Sequence, residues 1–177
     1  TISANNVTNN GWGIDLMGGS SDNIIIGNRV ANNRKGIYIE TSGQNILRDN
    51  NLTGNMYNLG VFPARFGEWW NWIEPEVRLS TYLQDIDISN TVNGKPVYYL
   101  VNQTGVIIDS VDIGYLWLVN CSNICVKDVT LANNGQGLLL AFTTDTTVEN
   151  ATITDNDVGI HLPSSDANTI TLNTITA

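Results

Sequence analysis

Short apolar runs, separated by Asn, Gly, Ser and Asp, recur along this chain at a nearly constant interval. One line reads Gly13-Ile14-Asp15-Leu16, Gly36-Ile37-Tyr38-Ile39 and Gly60-Val61-Phe62, then Gly114-Tyr115-Leu116-Trp117, Gly137-Leu138-Leu139-Leu140 and Gly159-Ile160-His161-Leu162. A second reads Asn23-Ile24-Ile25-Ile26, Asn45-Ile46-Leu47-Arg48, Asn123-Ile124-Cys125-Val126 and Asn168-Thr169-Ile170-Thr171. A third reads Asn6-Val7-Thr8, Arg29-Val30-Ala31, Asn51-Leu52-Thr53, Thr130-Leu131-Ala132 and Thr152-Ile153-Thr154. Within a run, apolar and polar residues alternate with period two, the mark of a strand with one buried face. A run of three to five residues cannot bury that face alone. Stacked coils about 4.8 Å apart let each strand pair in parallel with its equivalent in the next coil. The pattern predicts an all-β, right-handed parallel β-helix, a solenoid of about 22–23 residues per coil with three short strands in each. The whole chain, 1–177, reads as one β-helix domain of roughly seven coils. The pairs Asn9-Asn10, Asn32-Asn33 and Asn133-Asn134 fit turns in which stacked amides bond up the solenoid as a ladder.

The rhythm breaks between Gly60 and Gly114. Residues from about 62 to 96 leave the repeat, and this excursion carries Trp69, Trp70 and Trp72 with Glu68, Glu74 and Glu76. Clustered indoles can cover a flank of the solenoid, contact a protein partner or stack on sugar rings, so these three tryptophans are the candidate ligand or partner contacts. Asn93-Gly94-Lys95-Pro96 reads as a tight turn, and Val97 to Val101 as a strand returning to the solenoid.

The repeats Asn-Asn-Gly-x-Gly-Ile/Leu-x-Leu and Asn-x-Ile-x-x-Asn resemble NosD-like, or CASH-type, β-helix repeats. The block Asp85-Ile86-Asp87-Ile88-Ser89-Asn90-Thr91-Val92-Asn93-Gly94-Lys95-Pro96-Val97-Tyr98-Tyr99-Leu100-Val101-Asn102 resembles a segment of large secreted archaeal proteins of that class, mostly from methanogens. The resemblance implies an extracellular β-helix on a cell surface. Some relatives bind or act on polysaccharides, and the namesake serves copper-site assembly. A shared fold transfers none of these roles by itself.

Charge narrows the field. Seventeen acidic residues against eight basic ones give a net charge of −9, which disfavours nucleic acid and anionic membranes as partners. No apolar run is long enough to span a bilayer. The candidate carboxylate pairs are Asp85 with Asp87, Asp109 with Asp112, and Asp155 with Asp157, with Asp109 the best single catalytic candidate; none makes a persuasive acid–base pair. Copper would want clustered soft ligands, yet the chain offers one histidine, His161, and Met17, Met56, Cys121 and Cys125. His161, between Ile160 and Leu162, reads as a solvated surface side chain, and the cysteines as small buried or half-buried ones. No catalytic residue, metal site or cofactor is assigned. Sequons at Asn6, Asn51, Asn102, Asn120 and Asn150 are candidate N-glycosylation sites. Both ends of the sequence fall inside a repeat. The expectation is a non-catalytic structural or interaction module, either part of a longer surface protein or stacking end to end with itself. The partners expected are its own copies, other surface proteins or glycans. The alternative is a carbohydrate-binding or polysaccharide-active β-helix.

Overall fold

The computed structural model describes residues 1–62 and 78–176. Its strands are short because each must end where the coil turns. The first coil holds β1 (Ile2–Ser3), β2 (Asn6–Thr8) and β3 (Trp12–Leu16). The second holds β4 (Ile24–Ile26), β5 (Arg29–Ala31) and β6 (Lys35–Glu40), and the third β7 (Ile46–Arg48), β8 (Asn51–Thr53) and β9 (Tyr57–Phe62). A four-residue helix, α1 (Leu79–Tyr82), leads into an incomplete fourth coil of β10 (Asp85–Ile86) and β11 (Thr91–Val92). From there the chain runs through β12 (Lys95–Val101), β13 (Ile107–Asp109), β14 (Tyr115–Val119), β15 (Cys125–Lys127), β16 (Thr130–Ala132) and β17 (Gln136–Ala141). It ends in β18 (Thr147–Glu149), β19 (Thr152–Thr154), β20 (Val158–His161), β21 (Thr169–Thr171) and β22 (Thr174–Thr176). The result is a parallel β-solenoid of about seven turns.

Equivalent strands pair in register. Val7, Val30, Leu52 and Val92 form one apolar column, and Leu116, Leu138 and Ile160 another. The register corrects three alignments drawn from the sequence. Ile37 pairs with Leu59, so Gly36 lies beside Asn58 and not Gly60. Leu116 pairs with Leu138, which sets Gly137 beside Tyr115. Cys125 pairs with Thr147 and Thr147 with Thr169, so Ile124, not Asn123, shares a column with Asn168. The coil that starts at β12 also has two strands rather than three.

The Asn pairs divide their labour. Asn9, Asn32 and Asn133 adopt left-handed backbone angles, with φ of 61°, 56° and 59°, which Asn tolerates better than most residues. Their neighbours build ladders. Asn10 bonds to Asn33 and Asn33 to Asn55, through backbone N–H and side-chain amide alike. A second ladder runs Asn5, Asn28, Asn50, Asn90, and a third runs Asn23, Asn45, Gln84. Each amide satisfies turn N–H groups that no strand partner reaches.

The solenoid does not continue straight. At Asn93 (φ 50°) and Gly94 (φ 81°) a two-residue turn reverses the chain, and β12 pairs antiparallel with β11, Val92 opposite Lys95. Successive positive φ values are what such a hairpin requires, and Asn-Gly supplies them. β12 then seeds a second stack, through β14, β17 and β20. The outward face of this sheet lies against the open end of the first stack: Val97, Tyr99, Tyr115, Trp117, Val119, Leu139 and Ala141 join one core with Leu47, Leu52, Leu59, Val61 and Val92. The opposite face, Leu116, Leu118, Leu138 and Leu140, fills the second stack's own core with Val126, Leu131, Val148 and Ile153. The edge of β9, which pairs with no further strand among the described residues, is satisfied across this junction. Asn58 N–H donates to the Asn133 carbonyl at 2.7 Å, and Gly135 N–H to the Leu59 carbonyl at 2.8 Å. The Gln136 side-chain amide stands in for a further peptide group, donating to the Val61 carbonyl at 2.6 Å and accepting from Val61 N–H. Backbones meet closely here: a Cβ on Gly135 would lie 2.9 Å from Gly60 Cα.

Candidate functional site

One corner of the junction between the stacks gathers aromatic, cationic and acidic side chains. On the outer face of the sheet β3–β6–β9, three rings run across the strands. Trp12 meets Tyr38 edge-on at 5.9 Å, and Tyr38 stacks on Phe62 at 5.6 Å. His161, from β20 of the second stack, closes the row 6.4 Å from Phe62. The Lys35 ammonium sits 4.0 Å above the Trp12 ring and 4.4 Å from that of Tyr38. Trp12, Lys35, Glu40, Phe62 and Asp157 line a cavity of about 170 Å³ at this corner. Burial, then the charge of Asp157 and the neighbouring Tyr57 and Glu40, pushes the Tyr38 hydroxyl far above its usual range. Tyr38 is the buried middle ring of the row, between Trp12 and Phe62.

His161 thus differs from the solvated histidine expected from the sequence. It does point away from its own coil, but that outward face packs on the first stack. Nothing periodic within one stack reveals a meeting of Trp12 with Asp157, which are far apart in sequence. A usable signal existed in β14 and β17, whose residues are buried on both faces. Tyr115–Val119 and Gly137–Ala141 lose the apolar–polar alternation, as strands covered on both sides do.

The other candidates separate. Trp69, Trp70 and Trp72 lie outside the described residues. Asp85 and Asp87 are both held by Arg48, at 2.6 and 3.0 Å, an ion triad joining the third coil to the fourth. Asp112 pairs with Lys95 at 2.8 Å, and Asp109 accepts a hydrogen bond from Ser110. Asp155 takes a left-handed turn conformation, φ 55°, whereas Asp157 faces the corner cavity. The sequon residues Asn6, Asn51, Asn102, Asn120 and Asn150 are all exposed. Asn120 donates to Asn102 at 2.7 Å, so those two neighbouring sites crowd one another.

Soft metal ligands do not converge. Cys121 is buried with its sulfur toward the carbonyls of Leu100 and Val119, and burial raises its thiol, which disfavours the thiolate a metal needs. Cys125 is half-buried on β15, and both cysteines are free. Met17 and Met56 are exposed beyond opposite ends of the sheet β3–β6–β9. Among the described residues no group of three or more His, Cys, Asp or Glu is placed to hold a metal ion.

The family model described as "Periplasmic copper-binding protein (NosD)" matches residues 1–74 and 76–177. No curated protein and no solved structure matches the chain. Among the described residues no helix is long and apolar enough to cross a membrane. The described donors do not fit copper: the thiol that is buried is turned into carbonyls, and the thioethers stand apart on the surface. Fold, repeat and family model agree nonetheless over almost the whole length, and the chain belongs to the family of the periplasmic copper-binding protein NosD, as a β-helix module.

Proposed function

We propose that this chain is a non-catalytic scaffold of an exported protein, displayed at a cell surface, whose outer coils stack on further β-helix coils. Those coils belong to a longer surface protein or to another copy of this chain. The observation that carries the reading is the state of the outermost coils. β1 and β21 each have one strand neighbour among the described residues, as do β2, β3, β20 and β22. At β21 and β22 the apolar columns through Val148 and Ile153 end uncovered, with Ile170 36% and Ile175 49% exposed. An open parallel edge with an uncovered apolar column accepts another coil in register. An occupied sequon at Asn51 would decorate the flank away from these ends, whereas Asn6 lies on the outermost coil itself, at β2.

Electron microscopy of the protein over a range of concentrations tests this. The expected result is rods that lengthen with concentration, shortened by Ile175→Lys, which alters an exposed edge and leaves the core alone. Because the two stacks meet at a bend, the rods should be kinked once per copy. Single particles of constant size for a chain with no further coils would refute self-stacking. Peptide mass spectrometry of natively produced material, finding every sequon bare, would remove the glycoprotein part of the reading.

A further inference from the structure

Three Asn-Gly pairs occur in this chain, Asn10-Gly11, Asn93-Gly94 and Asn134-Gly135. In any such pair the glycine nitrogen can attack the asparagine side-chain amide, because no Cβ on the glycine shields it. This is one reason asparagine is a thermolabile residue. The fold places the three pairs differently. Asn134 is buried, and its Nδ2 donates to the carbonyls of Gly114 and Ala132 at 2.9 and 3.0 Å. The N–H of Gly135 is committed to the Leu59 carbonyl at 2.8 Å. Leaving group and nucleophile are both tied down there. Asn10 is exposed, but its Nδ2 donates to the Thr8 carbonyl at 3.0 Å and to Asn33 Oδ1 at 3.2 Å, so the ladder holds its amide.

Asn93 is bonded the other way round. Its Oδ1 accepts from the N–H of Gly54 at 3.1 Å. A donor on that oxygen draws charge from the amide carbon and stands where negative charge develops as a nucleophile adds. Asn93 and Gly94 are both exposed, and the space a Gly94 side chain would fill is open, so water reaches the pair. We infer that Asn93 is a site of spontaneous modification in the folded protein, converting to aspartate and isoaspartate ahead of the other two pairs. The Gly94 nitrogen forms a bond to Asn93 Cγ and gives its proton to water. The Cγ–Nδ2 bond breaks, and ammonia leaves with a proton taken from water. Water then opens the cyclic imide: at Cγ to give aspartate, or at the backbone carbonyl carbon to give isoaspartate. In isoaspartate the chain runs through Cβ and Cγ. The turn between Val92 and Lys95 thereby gains one bond, and a carboxylate replaces a neutral amide. The change falls at the reversal from which the second stack starts. It does not depend on whether the outer coils stack on others.

Peptide mapping of the folded full chain tests it, after storage at neutral and mildly alkaline pH in heavy-oxygen water, which marks each conversion. Electron-transfer fragmentation tells isoaspartate from aspartate. Asn93 should convert at least tenfold faster than Asn10 and Asn134, and faster as pH rises. In urea, where the bonds that distinguish the three pairs are gone, their rates should draw together. The isoaspartate form, separated by ion exchange, should show faster amide hydrogen exchange in β11 and β12 than Asn93→Asp, which carries the charge without the added bond. Conversion of Asn10 or Asn134 ahead of Asn93, a spread of rates no smaller in urea than in the folded chain, or an Asn93 that stays an amide while the unfolded chain converts would overturn the assignment. Equal exchange in the isoaspartate form and Asn93→Asp would overturn the consequence for the turn.

Discussion

The two stacks solve the same coil with different side chains. In the first, the turn that precedes the second strand of each coil carries Asn5, Asn28, Asn50 and Asn90, bonded one to the next. In the second, the register sets Val129, Ala151 and Asn173 in that column. Another turn column of the second stack uses Cys121, Thr143 and Ser165, with Thr143 and Ser165 hydroxyls accepting the N–H bonds. The strand faces differ in the opposite sense. β3 alternates, with Ile14 and Leu16 buried and Asp15 exposed, while β14 and β17 are buried throughout. The backbone repeat therefore does not prescribe one core. Amide ladders run through most turns of the first stack, and strands that cover another part of the molecule, β6 and β9 as well as β14 and β17, are packed on both faces.

Truncating Trp117 should show this contrast most strongly. It is fully buried between Tyr99 and Tyr115, at 4.9 and 4.5 Å, at the centre of the junction. Trp117→Ala should cost about 3–5 kcal/mol in urea unfolding followed by circular dichroism, against less than about 0.5 kcal/mol for the exposed Trp12→Ala. Equal costs would mean that the junction is not a core. Asn50→Ala comes next. It removes the acceptor for the Asn28 N–H and side-chain amide inside the first stack, a loss of about 1–3 kcal/mol. Ala151→Leu, at the equivalent column of the second stack, tests whether that column tolerates apolar volume where the first stack demands an amide. Arg48→Ala should cost about 1 kcal/mol in dilute buffer and less in 1 M salt, since its bonds to Asp85 and Asp87 are partly solvated. A cost unchanged by salt would point to packing of the arginine stem instead.

The smallest effect concerns Asp15. Desolvation raises its carboxyl, and Lys35 offsets part of that rise. A carboxyl raised in the folded state binds protons more readily there than in the unfolded chain, so its contribution favours folding as pH falls through that range and is lost as pH rises. Asp15→Asn should accordingly be neutral to slightly stabilising at pH 7, by less than about 0.5 kcal/mol, and should flatten the pH profile of the melting temperature just above the usual aspartate range. A variant that is destabilised at pH 7 would show that the carboxylate is held favourably by Lys35.

Much of the solenoid was legible because each strand repeats a local pattern. The apolar columns through Val7, Val30 and Leu52, and the coil turns at the Asn pairs, need only alternation and turn chemistry. The register was less legible where glycine served as the marker. Gly60 and Gly114 are glycines for reasons other than column membership. Gly60 admits the backbone of Gly135, and Gly114 lies where a Cβ would strike the carbonyls of Val92 and Lys95. The corner cavity was invisible for a deeper reason. Its residues are brought together by a change in direction of the whole solenoid, which a turn such as Asn93-Gly94 announces locally without saying which faces will meet.

That hairpin also bears on how the molecule is assembled in time. Every parallel pair joins residues at least 18 positions apart, as Val97 and Tyr115 are, so a full coil must be closed before its first bond forms. Val92 and Lys95 meet across two residues, and hairpins close in about 1–10 μs. Among the described residues the strand pairing closest in sequence is thus this central hairpin, and coils are expected to add outward from it toward both ends. Pulse-labelled hydrogen exchange during refolding should find amides of β11 and β12 protected before those of β1 and β22; protection appearing first in an outer coil would place the starting point elsewhere.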